Sequence, residues 1–218
     1  IKEDPSVKEI VENYANNDID FHQTVSDMAG ISRIQAKTIN LGLFYGMGKA
    51  KLQAELGLST KQEAEELFNK YHDRVPFVRD LMNETSRWAS REGEIRTLLG
   101  RGCRFDKWEP AQFGMHTPMT WEDAVKKYGE NRIRRAFTYK ALNKLIQGSA
   151  ADMTKKSMLD LYKEGIIAHI QIHDELDLSV ESKEQADKII EIMENAVKLA
   201  VPNKVDYESG KTWGDIYG

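Results

Sequence analysis

The sequence predicts an α+β fold that is mostly helical and carries an antiparallel β-hairpin packed on helices. Apolar residues recur at helical spacing through most of the chain, which indicates helices that each bury one face. Residues 167–181 instead alternate between apolar and polar positions on both sides of His173-Asp174, as hairpin strands do. Of the 218 residues, 40% are apolar and 30% are charged, which is typical of a globular protein with a buried core.

The composition excludes several classes of protein. There is no run of 18 apolar residues, which excludes a transmembrane helix. Cys103 is the only cysteine, so neither an internal disulfide nor a cysteine-rich zinc site can form, and a reducing cytoplasmic setting fits. The net charge of −4 argues mildly against a nucleic-acid partner, although a basic stripe can lie on an acidic protein. The chain has no initiator methionine or signal peptide, and we expect it to begin inside a longer protein.

The first half of the chain is predicted to be helical. Capping residues or prolines mark the helix starts, because they suit the free N–H groups of a first helical turn. Ser32 can cap one helix, and Thr60 with Glu63 forms a capping box for another. The predicted helices span residues 5–14, 21–28, 32–45, 49–57, 60–71 and 76–88.

The second half mixes strand, loop and helix signals. Its predicted elements are a strand at 95–99, an ordered irregular loop at 105–129 with at least one helical turn near 121–128, a helical region at 132–161 bent or interrupted at Gly148, and the hairpin. Ser182 and Gln185 form a capping box for a last helix, which has an apolar stripe.

A cationic face is predicted on the helix that starts after Ser32. Arg33, Lys37, Leu41 and Tyr45 are four residues apart, so each step turns about 40° and the set extends over about 18 Å. A triphosphate is about the right size for the two cations, and its base could reach Leu41 and Tyr45. The spacing also fits a solvated basic face on a packed helix, and both interpretations stay open.

An acidic turn is predicted at the tip of the hairpin. His173, Asp174 and Glu175 interrupt the apolar run, and Mg²⁺ would relieve the repulsion between the two carboxylates. An ordinary polar turn is the alternative. Zinc is not favoured for His173, because no second His or Cys lies at suitable spacing. The strand residues expected to share one apolar face are Ala168, Ile170, Ile172, Leu176, Leu178 and Val180.

Five ordered motifs resemble those of the DNA polymerase I family (family A DNA polymerases) of bacteria and phages. They are Asp20-Phe21-His22-Gln23-Thr24, Arg33-x3-Lys37-x7-Tyr45-Gly46, Leu98-Leu99-Gly100-Arg101, Asn143-x3-Gln147-Gly148-Ser149-Ala150-Ala151-Asp152 and His173-Asp174-Glu175. The second is similar to the family's fingers-helix motif, and the last to its second catalytic carboxylate motif on the palm hairpin. The resemblance covers nearly the whole chain.

The resemblance implies template-directed addition of deoxynucleotides to a primer 3′ end by two-metal phosphoryl transfer with Mg²⁺. Residues 1–138 would form the fingers subdomain with its flanking helices, and residues 139–218 the C-terminal part of the palm. The implied nucleotide-binding residues are His22, Arg33, Lys37, Leu41 and Tyr45. The implied DNA-binding residues are Arg101, Asn143, Gln147 and His173. Asp174 would bind metal, and the implied catalytic residues are Asp174, Glu175 and Lys37.

Three departures from the family pattern affect these expectations. Leu41 stands where the family usually has Phe or Tyr, so nucleotide selection and rate are expected to differ. Tyr139 stands where many bacterial members have Arg, which weakens one primer contact and indicates phage relatives. The segment 105–129 is longer than in typical bacterial members, and we interpret it as a structural loop, with contact to DNA or another protein as the alternative.

The family's first catalytic Asp should fall just before Ile1, so we expect this chain to need an N-terminal polymerase portion, in the same or a separate chain. Alone it should be inactive or nearly so. The expected partners are primer-template DNA and deoxynucleoside triphosphates, without a membrane, in the cytoplasm (that of the host if phage-encoded). A fragment that binds nucleotide or DNA without catalysis is the first alternative. A magnesium-dependent phosphohydrolase is the second, and it leaves residues 33–45 unexplained.

Overall fold

The chain divides into two compact units, residues 1–147 and 148–218. The fold is α+β, mostly helical with small antiparallel strand pairs, which confirms the predicted class. The computed structural model describes residues 8, 11–12, 16, 20, 22–23, 26–27, 30–45, 47–74, 76–112, 114 and 116–216. Within the first two predicted helices, residues 8, 11–12, 22–23 and 26–27 are helical, and the other positions of those predictions lie outside the described residues.

Four helices open the fully described part of the first unit: α1 (Arg33–Phe44), α2 (Lys49–Leu56), α3 (Lys61–Arg74) and α4 (Pro76–Glu92). Their apolar sides meet in one core, whose buried members are Ala36, Ile39, Leu52, Tyr71 and Val78. Gly57 ends α2 in the left-handed region, at a φ of 61°, and its N–H bonds back to the helix. The four helices lie close to the predicted positions, because each combines a start signal with helical apolar spacing.

Side chains cap α1 and α3 as the sequence predicts. The Ser32 hydroxyl accepts the N–H of Gln35 at 3.3 Å, and Gln35 Oε1 accepts the N–H of Ser32 at 3.1 Å. Thr60 Oγ1 accepts the N–H of Glu63 at 3.2 Å, whereas Glu63 Oε2 accepts the N–H of Ser59 at 3.1 Å. The reciprocal bond before α3 therefore reaches one residue further back than in the predicted capping box. A cap of this kind contributes about 1 kcal/mol.

Two antiparallel strand pairs follow α4: β1 (Glu94–Arg96) with β2 (Gly102–Arg104), and β3 (Trp108–Pro110) with β4 (Ile133–Arg135). The strand predicted at 95–99 is confirmed as β1 but ends at Arg96. The chain turns there because Gly100, at a φ of 87°, donates its N–H to the Thr97 carbonyl at 2.9 Å.

The segment 105–129 is more regular than the predicted loop. Its helical turn is confirmed as α5 (Trp121–Tyr128), which begins where Thr120 Oγ1 accepts the N–H of Asp123 at 3.2 Å. The segment also contains β3, which the sequence does not predict. Only three residues long and ending in Pro110, β3 has no local signal, and its partner β4 is distant in the chain.

The predicted helical region at 132–161 starts later than expected. Residues 133–135 form β4 because they pair with β3, and a 3-10 turn (Thr138–Lys140) follows. The Arg135 guanidinium lies 4.6 Å from the Trp108 ring centre and donates to the Phe105 carbonyl at 3.0 Å, which joins β4 to the residues around β3. Helix α6 (Ala141–Lys163) then continues through Gly148 without interruption.

The second unit contains the end of α6, β5 (Ile170–Ile172), β6 (Glu175–Asp177) and α7 (Lys183–Asn195). The Ser182 hydroxyl accepts the N–H of Gln185 at 3.2 Å, which confirms Ser182 as the cap of α7. Gln185 Oε1 accepts the N–H of Glu181 at 2.7 Å, so the reciprocal bond reaches one residue further back than in the predicted capping box. Ala186 and Ile189 are buried, as the apolar stripe predicts. Among the described residues of the whole chain, no helix is long and apolar enough to cross a membrane.

Candidate functional site

The outer face of α1 carries the cationic residues that the sequence singles out. Arg33 and Lys37 are exposed and Leu41 is 47% exposed, whereas Ala36 and Ile39 on the opposite side are buried. Tyr45 follows directly after α1, is half-buried, and donates its N–H to the Leu41 carbonyl at 3.0 Å. The structure therefore brings Arg33, Lys37 and Leu41 to one accessible helix face, with Tyr45 at its end.

Asp20 connects this face to His22. Its Oδ2 accepts from Arg33 Nε at 2.9 Å and from the Arg33 Nη2 at 2.7 Å. Its Oδ1 accepts the N–H groups of His22 and Gln23 at 2.9 and 3.0 Å. The bond from Arg33, followed by that from the Gln23 N–H, lowers the pKa of Asp20 below its ordinary range. Lys37, in contrast, forms no ion pair with any residue that the structure describes.

A second link runs from His22 into the core. His22 Nδ1 lies 3.3 Å from Asn40 Nδ2, and the Tyr71 hydroxyl donates to Asn40 Oδ1 at 3.2 Å. Asn40 is 7% exposed and Tyr71 is 2% exposed, so both are anchored in the helical core. Burial raises the pKa of Tyr71, which keeps its hydroxyl protonated. His22, itself half-buried, is thus held at its backbone by Asp20 and at its ring by Asn40.

Asp20, Asn40 and Tyr71 are candidate functional residues to which the sequence analysis assigns no role of their own. Two local signals were available: an acidic residue two positions before His22, and a polar residue, Asn40, on the apolar side of α1. A polar side chain in an apolar stripe must find a partner when it is buried. Which partner it finds is not visible in the sequence, because Tyr71 lies 31 residues away along the chain.

The implied DNA-binding residues of the first unit lie in two places. Arg101 is exposed at the turn between β1 and β2, where its N–H donates to Thr97 Oγ1 at 3.0 Å. Asn143 is half-buried and Gln147 is exposed, and they lie one turn apart on the same side of α6. Tyr139, just before this helix, is 70% exposed, and the Lys140 Nζ lies 5.6 Å from its ring centre.

The acidic turn lies in the second unit, between β5 and β6. Ile172 pairs with Glu175, so His173 and Asp174 form a two-residue turn, and both are exposed. His173 has a φ of 54°, which is uncommon for a residue with a side chain. Gln171 Nε2 donates to the His173 carbonyl at 2.6 Å and closes the turn. Asp174 is thereby presented at the tip of the hairpin.

The register of the hairpin corrects the predicted apolar face. Residues opposite each other in an antiparallel pair share a face, and the pairs are Ile170 with Asp177, Gln171 with Leu176, and Ile172 with Glu175. Leu176 therefore lies on the face opposite Ile170 and Ile172, contrary to the expectation. The reason is that the two-residue turn pairs even-numbered residues of β5 with odd-numbered residues of β6, so the apolar residues of the two strands lie on opposite faces.

Asp177 is an acidic residue of β6 that the sequence reasoning did not consider. It lies two residues after Glu175, on the same face, and it is half-buried. Its Oδ2 is buried and accepts no hydrogen bond from any described residue. Burial raises the pKa of Asp177, and the neighbouring Glu175 charge raises it further. β6 therefore adds a further carboxyl group, that of Asp177, to those of Asp174 and Glu175.

The hairpin carboxylates fit only part of a metal site. Carboxylate oxygens are the ligands that a hard cation such as Mg²⁺ prefers. Among the residues that the structure describes, however, no group of three His, Cys, Asp or Glu side chains is placed to hold an ion. Asp174, with Glu175 beside it in sequence, can therefore supply part of a coordination shell, and other oxygen donors must complete it.

Two DNA polymerases of known identity are similar to this chain. A DNA-directed DNA polymerase of Pseudomonas phage M6 is 33% identical over 247 residues, covering 98% of this chain and 34% of the relative. DNA polymerase I of Geobacillus stearothermophilus is 34% identical over 205 residues, covering 89% of this chain and 21% of the relative. This chain thus spans about a third of the phage relative and about a fifth of the bacterial one.

A solved structure is similar over almost the whole chain. The POL domain of Pol1 from M. smegmatis, in complex with DNA primer-template and dNTP, has a TM-score of 0.73 at 25% identity. The similarity covers 95% of this chain and 36% of that chain. The family described as DNA polymerase family A matches residues 6–215. The chain therefore belongs to DNA polymerase family A, as its five motifs predict.

Proposed function

We propose that this chain supplies the nucleotide-binding fingers and the C-terminal part of the palm of a DNA-directed DNA polymerase. The observation that carries the proposal is the outer face of α1, where Arg33 and Lys37 are exposed in a chain of DNA polymerase family A. In this proposal residues 1–138 form the fingers and residues 139–218 the palm portion. The protein acts in the cytoplasm, that of the host if it is phage-encoded like the relative from Pseudomonas phage M6.

The α1 face binds the incoming deoxynucleoside triphosphate. Arg33 and Lys37 are one turn apart and donate to phosphate oxygens. His22 donates as well, and its backbone N–H bonds to the same Asp20 carboxylate that accepts from Arg33. Leu41 offers an exposed apolar surface to the sugar and base, and Tyr45 lies beside the nascent base pair. Binding the phosphates competes with Asp20 for the Arg33 guanidinium, so the nucleotide replaces or shares an ion pair that already exists.

DNA binds through uncharged and cationic donors. Asn143 and Gln147 lie on one side of α6 and donate amide hydrogens to base edges in the minor groove of the primer-template duplex. Arg101 is exposed at its turn and also contacts primer or template in the minor groove. His173 lies at the hairpin tip and contacts the primer end.

The catalytic step is template-directed transfer of a nucleotidyl group to the primer 3′ hydroxyl, with pyrophosphate as the leaving group. Asp174 would hold Mg²⁺, with Glu175 next to it in the chain. When bound, the Mg²⁺ ions stabilise the charge on the attacking and leaving oxygens. Lys37 neutralises charge on the triphosphate as the bond to the leaving group breaks. An N-terminal polymerase portion, in the same or a separate chain, supplies the further carboxylate that the hairpin does not provide.

Primer extension by a polymerase that contains this chain tests the proposal. Lys37→Ala should lower kcat/KM for the deoxynucleotide by about 10- to 100-fold, because a charged donor to phosphate contributes about 1.5–3 kcal/mol. Lys51→Ala is the matched control, since Lys51 is an exposed lysine on α2 outside the face. Equal activity of the two variants would reject the phosphate role of Lys37.

A binding protein without catalysis is the second candidate, and the incomplete ligand set of the hairpin favours it. Primer extension, with binding of primer-template measured in parallel by gel shift, separates the two candidates. Retained DNA and nucleotide binding without any extension, after an N-terminal portion from a phage relative is added, would establish the binding function and reject the enzymatic one.

A further inference from the structure

Three side chains form a hydrogen-bonded line from the core of the first unit to the α1 face. The Tyr71 hydroxyl donates to Asn40 Oδ1 at 3.2 Å, and Asn40 Nδ2 lies 3.3 Å from His22 Nδ1. The exposed fraction is 2% for Tyr71 and 7% for Asn40, and His22 is half-buried. Tyr71 and Asn40 belong to none of the nucleotide, DNA or metal sites proposed above.

The direction of each bond in this line follows from the orientation of the Asn40 amide. Its oxygen faces the Tyr71 hydroxyl, and an amide oxygen can only accept, so the hydroxyl donates. The nitrogen of the same amide must then face His22, and an amide NH₂ can only donate. His22 Nδ1 is therefore the acceptor. A neutral imidazole that accepts at Nδ1 carries its hydrogen on Nε2.

The second ring nitrogen of His22 is thus a donor on the far side of the ring from Asn40. The His22 backbone N–H and the Arg33 guanidinium both donate to the Asp20 carboxylate. One side chain therefore holds both residues in place. Two donors held in this way suit an oxyanion with several oxygens, such as a phosphate group.

We propose that Asn40, oriented by Tyr71, is a positioning residue that holds His22 in the Nε2–H tautomer, so that His22 donates to a phosphate oxygen of the nucleoside triphosphate. This inference rests on the proposed nucleotide-binding function of the α1 face. Asn40 touches no phosphate itself, and its effect on nucleotide binding passes entirely through the ring of His22.

The tautomer can be measured without any enzymatic activity. In the 218-residue chain with ¹⁵N-labelled histidine, the Nδ1 shift of His22 should be that of an unprotonated nitrogen and the Nε2 shift that of a protonated one. Asn40→Asp presents an acceptor instead of a donor at almost the same shape, and it should move the hydrogen to Nδ1. A hydrogen on Nδ1 of His22 in the unchanged chain would overturn the inference.

The phosphate role is tested by titrating a deoxynucleoside triphosphate into the same chain. Asn40→Asp and His22→Ala should each weaken binding about fivefold, the loss expected when one hydrogen bond of about 1 kcal/mol is removed. Tyr71→Phe, which adds no charge, should weaken binding about twofold because the amide is free to turn. Thr38→Ala, on the exposed side of α1, is the control and should bind like the unchanged chain.

A double variant separates the tautomer from the charge that Asn40→Asp introduces. If Asn40 acts through His22, adding Asn40→Asp to His22→Ala should weaken binding no further, because the two residues act as a unit. A full additional fivefold loss in the double variant would assign the effect to simple repulsion and overturn the positioning role. Absence of nucleotide binding by the unchanged chain would reject the proposed function itself, and the ¹⁵N shifts would show whether the tautomer still follows Asn40.

Discussion

The cationic face of the first unit and the acidic turn of the second are built in opposite ways. Around α1, Asp20 holds Arg33 at the surface, Asn40 holds the His22 ring, and buried Tyr71 holds Asn40 and links it to the core. At the hairpin tip, Asp174 is exposed in a two-residue turn and belongs to no complete ligand set among the described residues.

The difference indicates where each site obtains its geometry. A phosphate-binding face whose donors are oriented before the ligand arrives loses little entropy on binding. A single carboxylate on a turn has its direction set by the backbone, and its function depends on oxygen donors from elsewhere. We infer that substitutions at the tip will affect catalysis more than stability, and that the network behind α1 will affect both.

The largest expected effect is that of Asp174→Ala. In a polymerase that contains this chain, the rate of primer extension should fall by about 1,000-fold or more, since a lost metal ligand costs several kcal/mol of transition-state stabilisation. The thermal unfolding temperature should stay nearly unchanged because the residue is exposed. Asp187→Ala, an exposed acid on α7, is the control for both measurements. Survival of extension in the Asp174 variant would remove its role as a metal ligand.

Arg33→Ala should come next, with kcat/KM for the deoxynucleotide lowered by about 10- to 100-fold through loss of a charge-assisted bond. Arg33→Lys keeps the charge but lacks the planar guanidinium whose two nitrogens donate to Asp20. Its kcat/KM should therefore lie between those of Arg33→Ala and the unchanged chain. Steady-state extension kinetics measure both, with Arg79→Ala on α4 as an exposed control. If Arg33→Lys behaved like the unchanged chain, the geometry of the guanidinium would be irrelevant and only the charge would matter.

His173→Gly tests the backbone of the turn. Glycine adopts a positive φ without steric cost, so the free energy of unfolding should rise by about 0.5–1 kcal/mol, measured by urea unfolding. His173→Ala keeps the Cβ atom and should show no gain, which makes it the matched control. Equal stability of the two variants would mean that the turn carries no strain at this residue.

The smallest effect is expected from the charge of Asp20. Because the folded-state pKa lies below the ordinary value of 3.8, its contribution to stability is present above pH 3.8 and is lost as pH falls through the lowered value. Asp20→Asn keeps a capping side chain but removes the ion pair with Arg33, which is largely solvent-exposed. Its unfolding temperature should be slightly below that of the unchanged chain at pH 7, and the difference should disappear in strong acid. A difference that stayed constant with pH would exclude the carboxylate charge as its cause.

Local patterns predicted the elements with strong periodicity and clear start signals. The helices α1 to α4, the cap at Ser32 and the acidic turn at His173-Asp174 all depend on residues within a few positions of one another. The same holds for the face of Arg33 and Lys37, which needs only the geometry of one helix. Membership of DNA polymerase family A was predicted from the order of five such local motifs.

Other features could not be read from local patterns. β3 has no signal of its own and exists because β4 pairs with it, and this pairing also delays the start of α6. Leu176 was placed on the wrong face because the apolar pattern does not reveal how many residues the turn contains. Asp177 was overlooked because burial beside Glu175 depends on that same register.

The sequence by itself determined that a cationic helix face and an acidic hairpin turn are present, because helical and strand periodicities are local properties. The tertiary structure decided which side chains hydrogen-bond to the residues of the cationic face. Asp20 meets Arg33 across 13 residues and Tyr71 meets Asn40 across 31, and both contacts require the helices to pack first. The donor nitrogen of His22 is therefore set by the core of the first unit, since only packing brings the Asn40 amide between a buried hydroxyl and an imidazole.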